Sequence, residues 1–259
     1  MESEKIQVEM IQKVAVITMN NPPANALSPE LRFEFTHKLT KLSQNDDVWV
    51  LIITGSGEKF FAAGADIHSL IGLDRKGGLE RVKKAREFYS GIAYFKKPVI
   101  CAINGLCMGG GLELALACDI RIAAEHVKLG FPEVNLGLIP GAGGTQRLPR
   151  TIGPGWANYL FFTGKAISAQ KALSIGLIQE MVPSDQLMTT ALEIADRINS
   201  KGPLAVQAAK MASSRGLQET LEKGLDIENE GFAEICETLD KTEGVKAFIE
   251  KRKPQFKGK

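Results

Sequence analysis

Glu113 and Glu133 are the two residues of this chain whose surroundings best suit proton transfer. Glu113 stands in Asn104-Gly-Leu-Cys-Met-Gly109-Gly110-Gly111-Leu112-Glu113-Leu114-Ala115-Leu116-Ala117, a lone carboxylate in an apolar run that follows three glycines. Leu112, Leu114, Ala115, Leu116 and Ala117 read as a buried helix, and the glycines suit a backbone that must approach another object closely. A helix starting there presents unpaired N–H groups at its first turn, ready to hold a negative oxygen. Oxyanion donors beside an acid/base group are what enolate-type chemistry requires. A first-turn glutamate is also what the helix dipole favours, so the segment alone leaves both readings open.

Glu133 follows in Gly130-Phe131-Pro132-Glu133-Val134, where Pro132 fixes the chain just before it. Two strand-like segments lie between the glutamates, enough chain to leave a site and return to it. A glutamate after proline is equally an ordinary surface residue.

Other chemistries find little support. Gly137-Leu-Ile-Pro140-Gly141-Ala-Gly143-Gly144-Thr145-Gln146-Arg147 fails the dinucleotide fingerprint because Gln146 occupies the last glycine position and a proline, not a strand, precedes it. It reads as a tight, close-packed turn. His37, His68 and His126 show no metal-ligand spacing. Ser56 lacks the frame of an elbow nucleophile, and Gly164-Lys165 is followed by alanine, so no phosphate loop is present. Arg81, Lys83, Lys84 and Arg86 read as a solvated helix face.

The elements that must position the glutamates alternate between strand and helix. Ile6–Met10 and Val14–Met19 read as paired strands. Ser28 reads as the N-cap of a helix with Pro29 at its first position and an apolar face of Leu31, Phe33, Phe35, Leu39 and Leu42. Val48–Thr54 and Lys97–Ile103 read as strands buried on both faces. Residues 71–79 read as a loop, Leu79–Phe95 as a helix, and Asp119–Ala124 and Val127–Leu129 as short strands. Beyond Asp185 helix dominates, with candidates at 187–199, 203–213, 217–239 and 242–250. The fold class is α/β, with a boundary near residue 198 between a core (1–197) and a helical C-terminal part (198–259).

Composition sets the frame. The chain has 259 residues, 44% hydrophobic and 24% charged, enough for one large domain or a domain with an appendage. A formal charge of +2 gives no support for nucleic-acid or membrane-surface binding. Cys101, Cys107, Cys118 and Cys236 show no paired spacing and read as buried small hydrophobes in a reducing compartment. The polar opening Met-Glu-Ser-Glu-Lys and the absence of any long apolar run lead to the expectation of a cytoplasmic protein.

Taken together, four motifs resemble the crotonase, or enoyl-CoA hydratase, superfamily across about Val14 to Lys257. They are Phe61-Ala-Ala-Gly64-Ala65-Asp66-Ile67, the segment around Glu113, the segment from Phe131 to Gly144, and the tail Phe248-Ile-Glu-Lys251-Arg-Lys-Pro-Gln-Phe. The resemblance implies a crotonase-like spiral of β-β-α repeats with a C-terminal helical oligomerisation domain, assembled as homotrimers that often pair into homohexamers. It also implies an acyl-CoA thioester substrate, with no metal and no cofactor. The oxyanion hole maps onto the backbone N–H groups of Ala65 and Gly110, and a water-positioning backbone donor onto Gly141. CoA contacts map onto Ala63, Ala65, Asp66, Ile67 and Lys251, the last on the C-terminal helix and reaching the phosphates from a neighbouring subunit.

Members with glutamate at both positions are typically hydratases that add water across a trans-2-enoyl-CoA in fatty-acid or short-acyl degradation. By that analogy Glu113 deprotonates the water and Glu133 supplies the α-carbon proton. Isomerase, 3-hydroxyacyl-CoA hydrolase and decarboxylase chemistries share the same scaffold and remain the alternatives. Two departures stand out. Phe131 replaces a frequent glutamine beside the acid, which bears on acyl preference or on the acid's environment, and His68 replaces a frequent lysine that contacts phosphate.

Overall fold

The computed structural model describes residues 4–63 and 70–259. Strands β1 (Ile6–Ile11) and β2 (Val14–Met19) form an antiparallel hairpin, and helix α1 (Pro29–Ser43) follows. The Ser28 side chain caps α1 by accepting from the Leu31 amide. Leu31, Phe35, Leu39 and Leu42 are buried on the core side, but Phe33 is 79% exposed. It departs from the expected apolar face because Leu31 and Phe35 fix the inward direction and residue 33 lies nearly opposite both at helical spacing.

β3 (Val50–Gly55) is buried throughout, as its β-branched run requires, and lies parallel to β2. β4 (Phe60–Ala63) leads to the segment outside the described residues. Helix α2 spans Arg75–Ala93 and so begins inside the stretch read as a loop. Asp74 caps it, accepting from the Gly77 amide at 2.7 Å, and this cap together with the burial of Phe88, Tyr89 and Ile92 offsets the poor helix propensity of Gly77 and Gly78. Phe88 meets Phe35 edge-on at 5.3 Å, joining α1 to α2.

β5 (Val99–Ile103), β6 (Leu106–Met108) and α3 (Gly110–Ala117) carry the chain to the first glutamate, and β7 (Ile120–Ala124) and β8 (Lys128–Gly130) to the second. Beyond a 3-10 turn at Glu133–Leu136 comes α4 (Gly144–Thr163), broken at Gly153. β9 (Ile167–Ser168), α5 (Ala169–Ser174) and β10 (Glu180–Val182) complete the spiral. The C-terminal helices are α6 (Leu187–Asn199), α7 (Pro203–Gly216), α8 (Leu221–Cys236) and α9 (Leu239–Ile249).

The strands divide between two sheets. One has the order β1-β2-β3-β5-β7-β10 and the other β4-β6-β8-β9. From β3 onward the pairs β3-β4, β5-β6 and β7-β8 each contribute one strand to each sheet before a helix returns the chain, as expected of the spiral, whereas β1 and β2 both join the first sheet. Apart from Glu113, α3 is made of apolar residues and glycine and is almost wholly buried. A side chain at Gly111 would overlap the Ala62 carbonyl, so the start of α3 seats directly on the end of β4. At its other end the buried Arg121 guanidinium donates to the carbonyls of Cys118 (2.7 Å) and Ala115 (3.3 Å), a cation where the helix dipole favours one. Asn104 ties the two strand ends together, its side chain accepting from the Gly55 amide and donating to the Gly55 carbonyl.

Cys101, Cys107 and Cys118 are buried as expected, whereas Cys236 is exposed on α8. Among the described residues no helix is long and apolar enough to cross a membrane.

Candidate functional site

α3 brings Glu113 to the floor of the site with only 4% of its surface exposed. Its Oε1 accepts two main-chain hydrogen bonds, from Ala142 at 2.8 Å and Gly144 at 2.9 Å. The second donor is the first residue of α4, so a carboxylate sits where a helix N-terminus attracts negative charge. Burial drives the Glu113 carboxyl above its ordinary range, and the Gly144 and Ala142 amides and the Arg147 charge pull it back.

Glu133 opens the 3-10 turn behind Pro132, and its Oε1 lies against Gly109. A Cβ at position 109 would stand 2.7 Å from that oxygen, and the backbone there has φ of +55°. Glycine is needed for both reasons. Oε2 of Glu133 is buried and has no hydrogen-bond partner among the described residues. Burial first, then the charge of Glu113, pushes this carboxyl up to about 7, against a smaller lowering by a backbone hydrogen bond.

Tyr89 of α2 is 3% exposed, its hydroxyl donating to the Gly110 carbonyl at 3.1 Å. Burial and the charges of Glu113 and Glu133 hold this phenol protonated far above the usual range. The amide of Gly110, at the first position of α3, is one of the N–H groups that a helix leaves unpaired at its start. Main-chain donors and two unequal carboxyls thus gather around the Gly109–Gly110 segment. That set can polarise a carbonyl oxygen, take a proton from one atom and deliver a proton to another.

Of the residues singled out in the sequence, Glu113, Glu133 and Gly110 come together here, and Val82 of α2 fills the space that a side chain at Gly141 would need. Ala63 ends β4, its amide bonded to the Ala24 carbonyl. Ala65, Asp66, Ile67 and His68 lie outside the described residues. Lys251 is not on the C-terminal helix: α9 ends at Ile249, and Lys251 follows the cap in a left-handed conformation (φ +55°) with an exposed side chain. Phe131 is 1% exposed and packs on Phe161, with its ring beneath Gly144. It underlies the α4 N-terminus, directly beneath the Gly144 amide that donates to Glu113.

Sequence reasoning placed a backbone donor at Gly141 but missed Tyr89, Arg147 and the Ala142 and Gly144 amides that hold Glu113. The available signal was the run Gly143-Gly144-Thr145-Gln146-Arg147 at the start of a helix, hidden because no Ser, Asp or Asn cap announces it. His126 is structural, its ring nitrogens meeting Ser184 Oγ at 2.8 Å and the Glu58 carbonyl at 3.1 Å.

Comparison with known proteins gives a consistent picture. The family model described as enoyl-CoA hydratase/isomerase matches residues 9–259. A crotonyl-CoA hydratase of Syntrophomonas wolfei is 43% identical over 99% of this chain and 99% of that protein. A short-chain-enoyl-CoA hydratase of Clostridium acetobutylicum is 42% identical over 98% and 97%, respectively. A crystal structure of an enoyl-CoA hydratase from Bacillus anthracis superposes with a TM-score of 0.94 at 44% identity, covering 99% of this chain and 100% of that one.

Proposed function

The chain belongs to the enoyl-CoA hydratase/isomerase family, and from that membership we propose that it adds water across the 2,3 double bond of a trans-2-enoyl-CoA to give the 3-hydroxyacyl-CoA. The observation that carries the choice of hydration is the presence of two carboxyls in unequal environments. Glu113 is bound by main-chain donors, and Glu133 has an unpartnered buried oxygen and an affinity for its proton raised to about 7. A buried polar atom left unpaired costs about 1–3 kcal/mol, and a site retains one when it acts on a substrate.

In the proposed reaction Glu113 takes a proton from water as the hydroxyl bonds to C3. The electron pair of the double bond passes to the thioester oxygen as an enolate. Glu133 then gives its proton to C2, so that one water is added in all. The amides of Gly110 and Ala65 hold the enolate oxygen, each contributing about 3–4 kcal/mol to its stabilisation. Gly141 helps hold the water, and Ala63, Ala65, Asp66, Ile67 and Lys251 bind the CoA portion. The reaction so written needs no metal and no further cofactor.

Two further readings belong to this proposal. The C-terminal segment 198–259 associates subunits into trimers or hexamers, supported by Leu217, Leu221, Phe232 and Phe248, each at least 73% exposed. A reducing, cytoplasmic setting suits the three buried free thiols.

The test is the loss of conjugated-thioester absorbance when the protein is added to a panel of 2-enoyl-CoA substrates from short to long chain. Turnover of at least one supports the proposal. Conversion of a 3-enoyl-CoA with no hydration of any 2-enoyl-CoA would replace it with double-bond isomerisation.

A further inference from the structure

Arg147 lies one turn into α4 and folds back over the start of its own helix. Its Nη1 donates to the Ala142 carbonyl at 3.2 Å, and its amide donates to the Gly143 carbonyl at 2.8 Å. Side chain and main chain therefore grip the same turn. Gly143, between them, has φ of +121°, and a Cβ there would overlap Nη1. The turn held in this way directs the Ala142 and Gly144 amides at a single Glu113 oxygen.

Charge around the pair is unequal in the same sense. The half-buried Arg147 guanidinium is felt by Glu113 on α3 and by Arg86 and Tyr89 on α2 and Tyr94 just after it. Glu113 is faced in addition by Tyr89 and by Glu133. Glu133 is faced by the opposing charge of Glu113 and by Tyr89, with a backbone hydrogen bond favouring its charge.

We propose that Arg147 is the positioning residue that makes Glu113, rather than Glu133, the base of the pair. It braces the turn that fixes Oε1 of Glu113, leaves Oε2 of Glu113 to take a proton from water, and sets its charge beside one carboxylate only. Arg147 touches no reacting atom, and the inference rests on the hydratase reading for its kinetic consequence. In electrostatic terms, the Arg147 charge and the two amides it braces oppose the burial that raises the Glu113 carboxyl.

Arg147→Gln keeps a donor for the Ala142 carbonyl but removes the charge, and Arg147→Lys keeps the charge on a different stem. Carboxyl 13C NMR on glutamate-labelled protein, assigned with Glu113→Gln, reads the Glu113 titration directly. In Arg147→Gln it is expected to move up by about one pH unit, and in Arg147→Lys to stay near that of the unaltered protein. In kinetics, Arg147→Gln is expected to lower kcat on the order of 10–100-fold with KM changed less than about threefold, and to move the acidic limb of the pH profile upward. Arg147→Lys should restore that limb.

A Glu113 titration unmoved in Arg147→Gln overturns the proposal, as does a kcat loss that follows only a fall in melting temperature and that lysine does not relieve. Absence of turnover in the unaltered protein would count against the hydratase reading alone, since the NMR measurement decides the role of Arg147 without substrate.

Discussion

Oε1 of Glu133 occupies the space that a side chain at Gly109 would fill, 2.7 Å from the position of its missing Cβ. The triplet of glycines is thus partly a socket for the second carboxylate, delivered by a turn 24 residues further on (109 to 133). Gly109→Ala is expected to swing the Glu133 carboxyl out of place and to abolish most activity. The protein should stay folded with a lowered melting temperature, because the clashing atom is the end of a flexible side chain while the positive φ costs about 1–3 kcal/mol. Gly111→Ala, by contrast, would force a methyl into the Ala62 backbone and is expected to prevent folding. Activity and melting temperature measured on both variants separate the two roles. Near-normal activity in a folded Gly109→Ala protein would contradict this placement of Glu133.

Glu133→Gln is expected to lower kcat on the order of 10²–10⁴. Its effect on stability has a definite sign. The Glu133 carboxyl is raised from 4.5 to about 7 in the folded protein, so between those values the folded state binds more protons than the unfolded chain. Its contribution to stability is therefore intact below about pH 4.5 and is lost as pH rises through about 7. The glutamine variant escapes that loss. It should melt at a higher temperature than the unaltered protein at pH 8 and at a similar one near pH 4.5. Thermal melts at the two pH values provide the check.

The same protonation state governs rate. Hydration uses Glu133 protonated and Glu113 ionised, so kcat/KM for hydration is expected to fall as pH rises above about 7, whereas dehydration of the 3-hydroxyacyl-CoA uses the opposite pair of states. The apparent values belong to the coupled pair, not to either residue alone. A hydration profile flat from pH 6 to 9 would contradict the assignment of Glu133 as the acid.

Phe131→Ala removes a ring buried against Phe161 and beneath Gly144. The expected cost is about 3–5 kcal/mol of stability. Because Gly144 donates to Glu113, kcat should fall as well, while the order of preference among acyl chain lengths stays unchanged. Denaturant unfolding and the substrate panel together test this. A changed chain-length preference at unchanged stability would mean that the ring faces the acyl group.

Much of this architecture was legible in the sequence. β3 and β5 announce themselves as unbroken apolar runs because parallel strands covered on both faces need them. Ser28 and Pro29 mark the start of α1, and the apolar run after Gly111 marks α3. What remained hidden depends on contacts distant in sequence. α2 begins earlier than its glycines suggest because of the Asp74 cap, and α4 was masked by Pro149, Gly153 and Pro154. Glu113 and Glu133 could be nominated but not joined, since only the two-sheet spiral returns the chain to the same point. The 141–144 turn was recognisable as a turn, yet that its amides serve Glu113 is a fact of packing that no local pattern carries.

The central claim is that Glu113 and Glu133 act as one unit on a single water. The most direct measurement compares hydration rates of Glu113→Gln, Glu133→Gln and the double variant, each verified as folded. Residues that work as a unit lose little more together than the more damaging change does alone, and that is the expected result. Rate losses that multiply, as for independent sites, or a single variant with undiminished turnover, would contradict it.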